Sequence, residues 1–500
     1  MKNQAVETPD ALAVRGPDGS LTYGELDSLA NRIARGLEAC GVGKGQRVAI
    51  WLDKSTVAVA SMQAVMRLGA AYVPIDPFSP PARTRHLLSD CAVTALISTR
   101  ERAAVVLEGA LQSLSCLCVD GGWNGPDWQK VLGASNHPLP DPLTREDDLA
   151  YILYTSGSTG CPKGVCISHR NALAFVRWAA AELEISPKDR LANHAPFHFD
   201  LSVFDLYAAF LTGAAVFLVP DGMSFAAGKL VEFLVREQLA IWYSVPSVLV
   251  LMMEHGGLLE TPLLPLRAVL FAGEVFPVKH LRRLCERWPE VRYLNLYGPT
   301  ETNVCTFYEV AELEADRALP VPIGRACSGD RAWACKKDGR AARPGEEGEL
   351  MVSGPTVMLG YWGREPQGDR SYATGDLVHV LENGDFQFLG RRDHMVKVRG
   401  CRVELGEIEA VLQEHPAIRE AAVVTSGTGL DVRLVAFAVT AGAARPSLLA
   451  LKEHCATRLA RYMIVDRVRY LDQLPRTRTG KVDTLALARI LAANDRSGEN

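Results

Sequence analysis

The chain reads as an α/β protein of at least two domains, and three observations predict it. Helical and strand-like stretches alternate through the first half of the sequence, the arrangement that sandwiches mostly parallel strands between helices. At 500 residues the chain exceeds what one hydrophobic core holds. Past "GRRDHMVKVRG" the rhythm changes to a small α+β pattern of about a hundred residues, an ordinary domain size.

The elements follow in order. "LTYGELDSLANRIARGLEACG" carries a capping box, Thr22 with Glu25, ahead of an apolar helical stripe of Leu26, Leu29, Ile33 and Leu37. Gly41 closes that helix, and "RVAIWL" follows as a buried strand. A second helix is expected around 56–68, then a strand at "AYVPID". The stretch "YTSGSTGCPKGV" joins a strand over 151–155 to one over 165–169. A helix after His169, a helix around 202–211, the strand "AAVFLV", a further helix and the strand "IWYSV" repeat the alternation. The run "LAIWYSVPSVLVLMM" is too short for a bilayer and contains Pro246, so it reads as a buried strand and the helix after it. "KKDGRAARPGEEGEL" is a turn-rich passage into β-structure. There is no short-period repeat and no low-complexity segment.

Composition narrows the function. A hydrophobic content of 48% and a formal charge of -4 describe an ordinary globular protein, with no basic surplus to bind nucleic acid. The start "MKNQAVETPD" has no apolar signal core, and no membrane partner is expected. The 12 cysteines are scattered without CxxC or Cys/His spacing, as reduced thiols of a cytoplasmic protein would be.

The Gly- and hydroxyl-rich stretch poses the sharpest chemical question. A P-loop needs Gly-x4-Gly-Lys-[Ser/Thr] running directly into a helix. Here Lys163 stands between Pro162 and Gly164, and a strand follows. A P-loop ATPase is therefore disfavoured. Backbone N–H groups and hydroxyls of such a loop still form a nest that wraps an anion.

Other stretches converge with it: "LGAAYVPIDP", "FHFDLSVFDLY", "NLYGPTETNV", "GELMVSGPTVMLGYW", "YATGDL", "GRRDHMVKVRGCRVELGEIE" and "LPRTRTGKVD". In order and spacing this set resembles the amino-acid adenylation domains of nonribosomal peptide synthesis, within the adenylate-forming superfamily. The resemblance spans almost the whole chain. It implies a large N-terminal domain over 1–391, with helix-flanked sheets and a small β-barrel-like subdomain, and a small mobile α+β domain over 392–500.

Chemically, the resemblance implies attack of a carboxylate on the α-phosphate of ATP, with Mg²⁺, releasing pyrophosphate and leaving an acyl-adenylate. Preorganised charges contribute most to lowering the barrier of such a step. The loop residues Thr155, Ser156, Gly157, Ser158, Thr159, Gly160 and Lys163 would shield the outgoing pyrophosphate. Asn295, Leu296, Tyr297, Gly298, Pro299 and Thr300 would frame the nucleotide, with Tyr297 stacking on adenine. Glu301 would bind Mg²⁺, Thr300 beside it, and a hard oxygen donor suits that ion. Asp376 would accept the ribose hydroxyls, supported by Arg391. Lys481 would bridge the substrate carboxylate and the α-phosphate, and Asp393 would be the hinge about which the small domain turns.

Asp200 matches the aspartate that pairs with an α-ammonium group, and a buried carboxylate wants such a partner. It also stands where a helix N-cap would. The rest of the side-chain pocket, carried over by position, is Leu201, Phe204, Ser244, Leu270, Ala272, Leu296, Val304 and Cys305, completed by Lys481. This set suits a compact apolar side chain and is similar to that of free-standing prolyl-adenylating enzymes, departing at Phe204 and Ser244. The resemblance thus implies activation of a free amino acid, L-proline first, and transfer to the phosphopantetheine thiol of a carrier protein in trans. No Gly-Gly-x-Ser carrier motif or HHxxxDG condensation motif occurs in the sequence. D-alanine and cysteine are the alternative amino acids. An acyl-CoA synthetase using coenzyme A is the enzymatic rival, opposed by Asp200; a nucleotide-binding scaffold without chemistry is opposed by Lys163, Glu301, Asp376, Arg391 and Lys481 together.

Overall fold

A computed structural model describes residues 1–500 except 157–161, 263–264, 314–316, 318, 393–394, 399, 428–430, 443, 477–481 and 496–500. The chain divides into two compact units. The first comprises Met1–Pro77, Leu88–Tyr154 and Gly164–Arg392. The second comprises Asp393–Asn500 together with the short segments Phe78–Leu87 and Thr155–Lys163.

Two large sheets organise the first unit. The nine-stranded sheet runs in the order Arg325–Ala326, Thr306–Glu309, Arg292–Tyr297, Ala268–Ala272, Ile241–Ser244, Arg190–Asn193, Ala215–Leu218, Leu12–Gly16 and Gly19–Thr22. Its six middle-to-late neighbours, from Arg292–Tyr297 to Leu12–Gly16, pair in parallel, and antiparallel strands close both edges. The seven-stranded sheet has Ala71–Pro74 at its centre, and Arg47–Ile50 beside it pairs in parallel with both Ala71–Pro74 and Ala95–Ser98. Parallel strands need crossovers, and the alternating helices of the sequence supply them.

The helix Tyr23–Ala39 forms as its sequence dictates. Thr22 Oγ1 accepts from the Glu25 N–H while the Glu25 carboxylate accepts from the Thr22 N–H, a reciprocal cap of about 1 kcal/mol. Its stripe of Leu26, Ile33 and Leu37 is buried in a core that also takes Val48 and Tyr72 from the smaller sheet and Leu191, Val216, Ile241 and Leu270 from the larger. The helices His169–Glu182 and Leu201–Thr212 contribute Phe175, Val176, Phe204 and Leu206 to the same core. A second cluster, with Phe217, Trp242, Val269, Phe271 and Tyr293, covers the opposite face of the larger sheet.

The β-rich passage after residue 330 is a four-stranded antiparallel sheet of Arg331–Cys335, Glu347–Ser353, Tyr372–Val380 and Phe386–Arg391. In the second unit, Ile418–Ser426, Arg433–Thr440 and Arg467–Tyr470 form a three-stranded sheet. The helices Leu405–Gln413 and Leu448–Ala456 bury Ile408, Leu412, Leu451 and Cys455 in its core. Among the described residues no helix is long and apolar enough to cross a membrane, and eleven cysteines are free thiols.

Candidate active site

The strand Arg292–Tyr297 divides the site, because its side chains alternate between two faces. Leu294 and Leu296 turn toward the helix-filled core, beside Leu270 and Ala272 of the neighbouring strand. Tyr297 turns the other way, into a small cluster with Ile323, Val357 and Phe386.

On the Tyr297 face the polar groups are tied together. The Tyr297 hydroxyl donates to Asp376 Oδ2, and the Arg391 guanidinium pairs with Asp376 Oδ1. Burial first, and then the Asp376 charge, push the Tyr297 phenol well above its ordinary range. Asp376 is aimed by a bulge: Thr374, Gly375 and Asp376 stand opposite the single Leu350, and Gly375 takes φ +76°, a conformation glycine adopts without strain. Thr374 Oγ1 accepts from the Asp376 N–H at 3.1 Å and donates to the Leu350 carbonyl at 2.9 Å, which fixes the bulge. Asn295 donates to the Pro322 carbonyl at 2.8 Å.

Glu301 lies in the single 3-10 turn Thr300–Thr302 and is 1% exposed. Tyr361 donates to its Oε1 at 2.7 Å, and its backbone carbonyl accepts from the Met358 N–H at 2.8 Å. Gly298 is required here: a Cβ would fall 1.5 Å from the Asn303 carbonyl oxygen. Pro299 caps the turn, and Asn303 leaves it at φ +47°, ψ -138°, a conformation held only where the surroundings over-determine it. Among the described residues no three His, Cys, Asp or Glu side chains form a metal cage. A Mg²⁺ that shares one protein carboxylate with phosphate oxygens needs none.

The loop's flanks are described: Thr155 ends the strand Leu149–Thr155 and Lys163 begins Lys163–Ser168. Within the second unit, Ser156 Oγ donates to the Arg402 carbonyl at 2.9 Å and accepts from the Glu404 N–H at 3.1 Å. Gly157, Ser158, Thr159, Gly160, Asp393 and Lys481 lie outside the described residues.

On the Leu296 face, Phe204, Leu270, Ala272, Leu296 and Val304 join one buried cluster, and Leu201 packs partly buried against it. Asp200 occupies the N-cap position of Leu201–Thr212 with helical φ and ψ, and its side chain makes no cap hydrogen bond. The carboxylate is therefore not spent on the helix start. Its charge raises two buried phenols further, after burial itself: Tyr243, and Tyr151 along with Tyr207.

Three expectations change. Ser244 pairs with Phe271 on the far face of the larger sheet and accepts the Trp242 indole N–H at 2.8 Å, so it does not face the Leu270–Leu296 cluster. Tyr243, one residue earlier, does. Cys305 belongs with Tyr297 and Ile323, its thiol 3.6 Å from the Tyr297 carbonyl, while Val304 keeps the apolar face. Leu296, expected both beside the nucleotide and in the side-chain pocket, sends its side chain only to the latter cluster.

Sequence reasoning also missed a polar layer around Asp205, on the helix that Asp200 precedes. Lys54, 4% exposed, donates to the carbonyls of Asn193 and His194 at 2.7 and 2.8 Å. Burial lowers its pKa to about 8 against the pull of Asp221 and Asp205. Asn193 donates to Asp205 Oδ2 at 3.2 Å, and burial holds Asp205 well above the usual carboxylate range. No spacing signal links these residues, which come together only through the fold.

Residues 1–362 match the family described as AMP-binding enzyme, and residues 407–481 the AMP-binding enzyme C-terminal domain. The chain is 47% identical over 489 residues, 98% of each chain, to an L-proline--[L-prolyl-carrier protein] ligase of Pseudomonas fluorescens. A protein of the same description from Streptomyces coelicolor is 42% identical over 482 residues, 93% of this chain and 91% of that one. The crystal structure of the Vibrio cholerae adenylation domain AlmE, solved with glycyl-adenosine-5'-phosphate, superposes with a TM-score of 0.81 at 27% identity, covering 97% of this chain and 95% of that one. A fold of adenylate-forming type, a strand whose one face is polar and tied to an Asp–Arg–Tyr cluster, and family matches over both ends of the chain agree: the chain belongs to the AMP-binding enzymes.

Proposed function

We propose that the protein uses ATP to activate L-proline as prolyl-adenylate and then transfers the prolyl group to the phosphopantetheine thiol of a separate carrier protein. The observation that carries the reading is identity of 47% along 98% of both chains to a ligase of that description. The compact cluster of Phe204, Leu270, Ala272, Leu296 and Val304 supports it, since these five side chains are apolar and offer a substrate side chain no hydrogen-bond partner. Free thiols at all eleven cysteines among the described residues fit a cytoplasmic setting.

The residues divide the work. Asp200 would receive the ammonium, whose two N–H groups in proline suffice for a carboxylate and one backbone acceptor. Tyr243, Phe204 and Leu270 would enclose the ring and keep water from the reacting carboxylate. Asp376, oriented by Arg391, would accept the ribose hydroxyls. Glu301, oriented by Tyr361, would hold Mg²⁺, which when bound offsets phosphate charge. Lys481 would join the two anions, and the 155–163 loop with Lys163 would shield the pyrophosphate. Domain 392–500, turning about Asp393, would exchange the adenylating for the thioester-forming arrangement.

Amino-acid-dependent ATP–pyrophosphate exchange tests the reading, across L-proline, 4-hydroxyproline, both alanine enantiomers, cysteine and valine. L-Proline should give the strongest exchange. Stronger exchange with another member overturns the proline assignment while leaving the ligase standing.

A further inference from the structure

With Asp200 as the ammonium partner, a zwitterionic amino acid meets a conflict, and the inference rests on that reading of Asp200. The carboxylate that attracts the substrate's ammonium also repels its carboxylate a few ångströms away. Two buried polar groups near Asp200 are unmatched. Tyr151 is 1% exposed, feels the Asp200 charge and has the Asn303 side chain as a polar neighbour that pulls its pKa down, yet its hydroxyl completes no hydrogen bond of ordinary length. Asn303 is 4% exposed, and its Nδ2 has none either. Buried donors without partners are rare because each keeps its desolvation penalty.

The placement of Asn303 is also enforced. Its backbone sits at φ +47°, ψ -138°, and only a glycine at 298 lets its carbonyl pass. In sequence it stands between Glu301, on the expected phosphate side, and Val304, on the side-chain face. The carboxylate of an amino acid undergoing adenylation likewise lies between its own side chain and the α-phosphate, so a residue that joins the two sides along the chain is a candidate to meet it. Strain retained at such a position, together with two donors lacking acceptors, is the arrangement of a ligand clamp.

We propose that Tyr151 Oη and Asn303 Nδ2 are the donors that receive the carboxylate of the bound amino acid, opposing its repulsion by Asp200. They make the pocket selective for an α-amino acid over an amine of the same ring.

The test compares L-proline with pyrrolidine, which keeps the ring and ammonium and lacks the carboxylate. Kd values come from calorimetry on the full chain without nucleotide, and KM from exchange. Tyr151→Phe, which deletes only the hydroxyl, should weaken L-proline about tenfold or more and leave pyrrolidine within twofold. Asn303→Gly, which keeps the backbone conformation accessible, should do the same. Equal weakening of both ligands would mark the pair as structural and overturn the proposal, as would an unchanged L-proline Kd in both variants. If exchange selects another amino acid, the same comparison is made with that acid and its decarboxylated amine. A shifted ratio then supports the donor pair even though proline was the wrong side chain, and an unchanged ratio overturns it.

Discussion

The two faces of the strand Arg292–Tyr297 are finished to different degrees. On the Tyr297 face the charged groups are matched, Asp376 by Arg391 and the Tyr297 hydroxyl and Glu301 by Tyr361, and Thr306 Oγ1 opposite Tyr297 is buried without a partner. On the Leu296 side, Tyr151 Oη, Asn303 Nδ2, Asn193 Oδ1 and Asp205 Oδ1 are buried without hydrogen-bond partners. A side chain matched before its ligand arrives is already ordered, so binding costs it little conformational entropy. An unmatched one carries a desolvation penalty that the correct ligand relieves and a wrong one leaves in place. The first face is built for rigidity and the second for discrimination.

The largest expected break in that contrast is Asp200→Ala. The substrate ammonium would be desolvated without a partner, a loss of about 4 kcal/mol, or roughly 10³ in kcat/KM for proline. KM for ATP should stay within twofold. Equal damage to both substrates in exchange kinetics would mean that Asp200 does not belong to the amino-acid side.

Arg391→Ala probes the finished face. It strips a 7% exposed Asp376 side chain of its cation, which should cost about 3 kcal/mol of stability in urea titration. KM for ATP should rise while the Kd of proline holds. A proline Kd that moved with the ATP value would contradict the separation of the faces.

A pH series addresses the polar layer around Asp205 and Lys54. Burial, then Lys54, hold His194 at about 4, below the 6.5 of an exposed imidazole. The unfolded chain therefore takes up the proton first as pH falls. The contribution is complete above pH 6.5 and is lost toward pH 4, amounting to about 2–3 kcal/mol. Urea midpoints at pH 7, 5 and 4 should fall less steeply for His194→Gln than for the parent chain. Parallel slopes would remove His194 as the source.

Ser244→Ala is the smallest and sharpest test. It leaves the buried Trp242 indole N–H without its acceptor, at about 1–2 kcal/mol of stability, and should leave the order of amino acids in exchange unchanged. Tyr243→Ala should reorder them. Reordering by Ser244→Ala would return that residue to the side-chain pocket.

Local signals were legible in the sequence. The cap of Tyr23–Ala39 needs only residues three apart, and the strand Lys163–Ser168, which disfavours a P-loop, is read from a few consecutive residues. The family motifs were legible because nucleotide chemistry confines residue types to short, ordered stretches. Facing was not. Every residue of Ile241–Ser244 is buried, so its pattern cannot say which side chains meet which core, and carrying a pocket over by position slips by one residue. The Lys54–Asn193–Asp205 layer and the Tyr151–Asn303 pair were illegible for another reason. Their members lie on separate elements that only the sheets bring together.

The alternation along Arg292–Tyr297 has a consequence for how such an enzyme diversifies. With a period of two, even-numbered positions 294 and 296 and odd-numbered positions 295 and 297 form independent alphabets on one piece of chain. A library restricted to the even positions can search for new amino acids while the machinery that handles ATP stays intact. Insertion or deletion of one residue does the reverse: it transposes the two alphabets at once, so length here should be far less tolerant of change than letter.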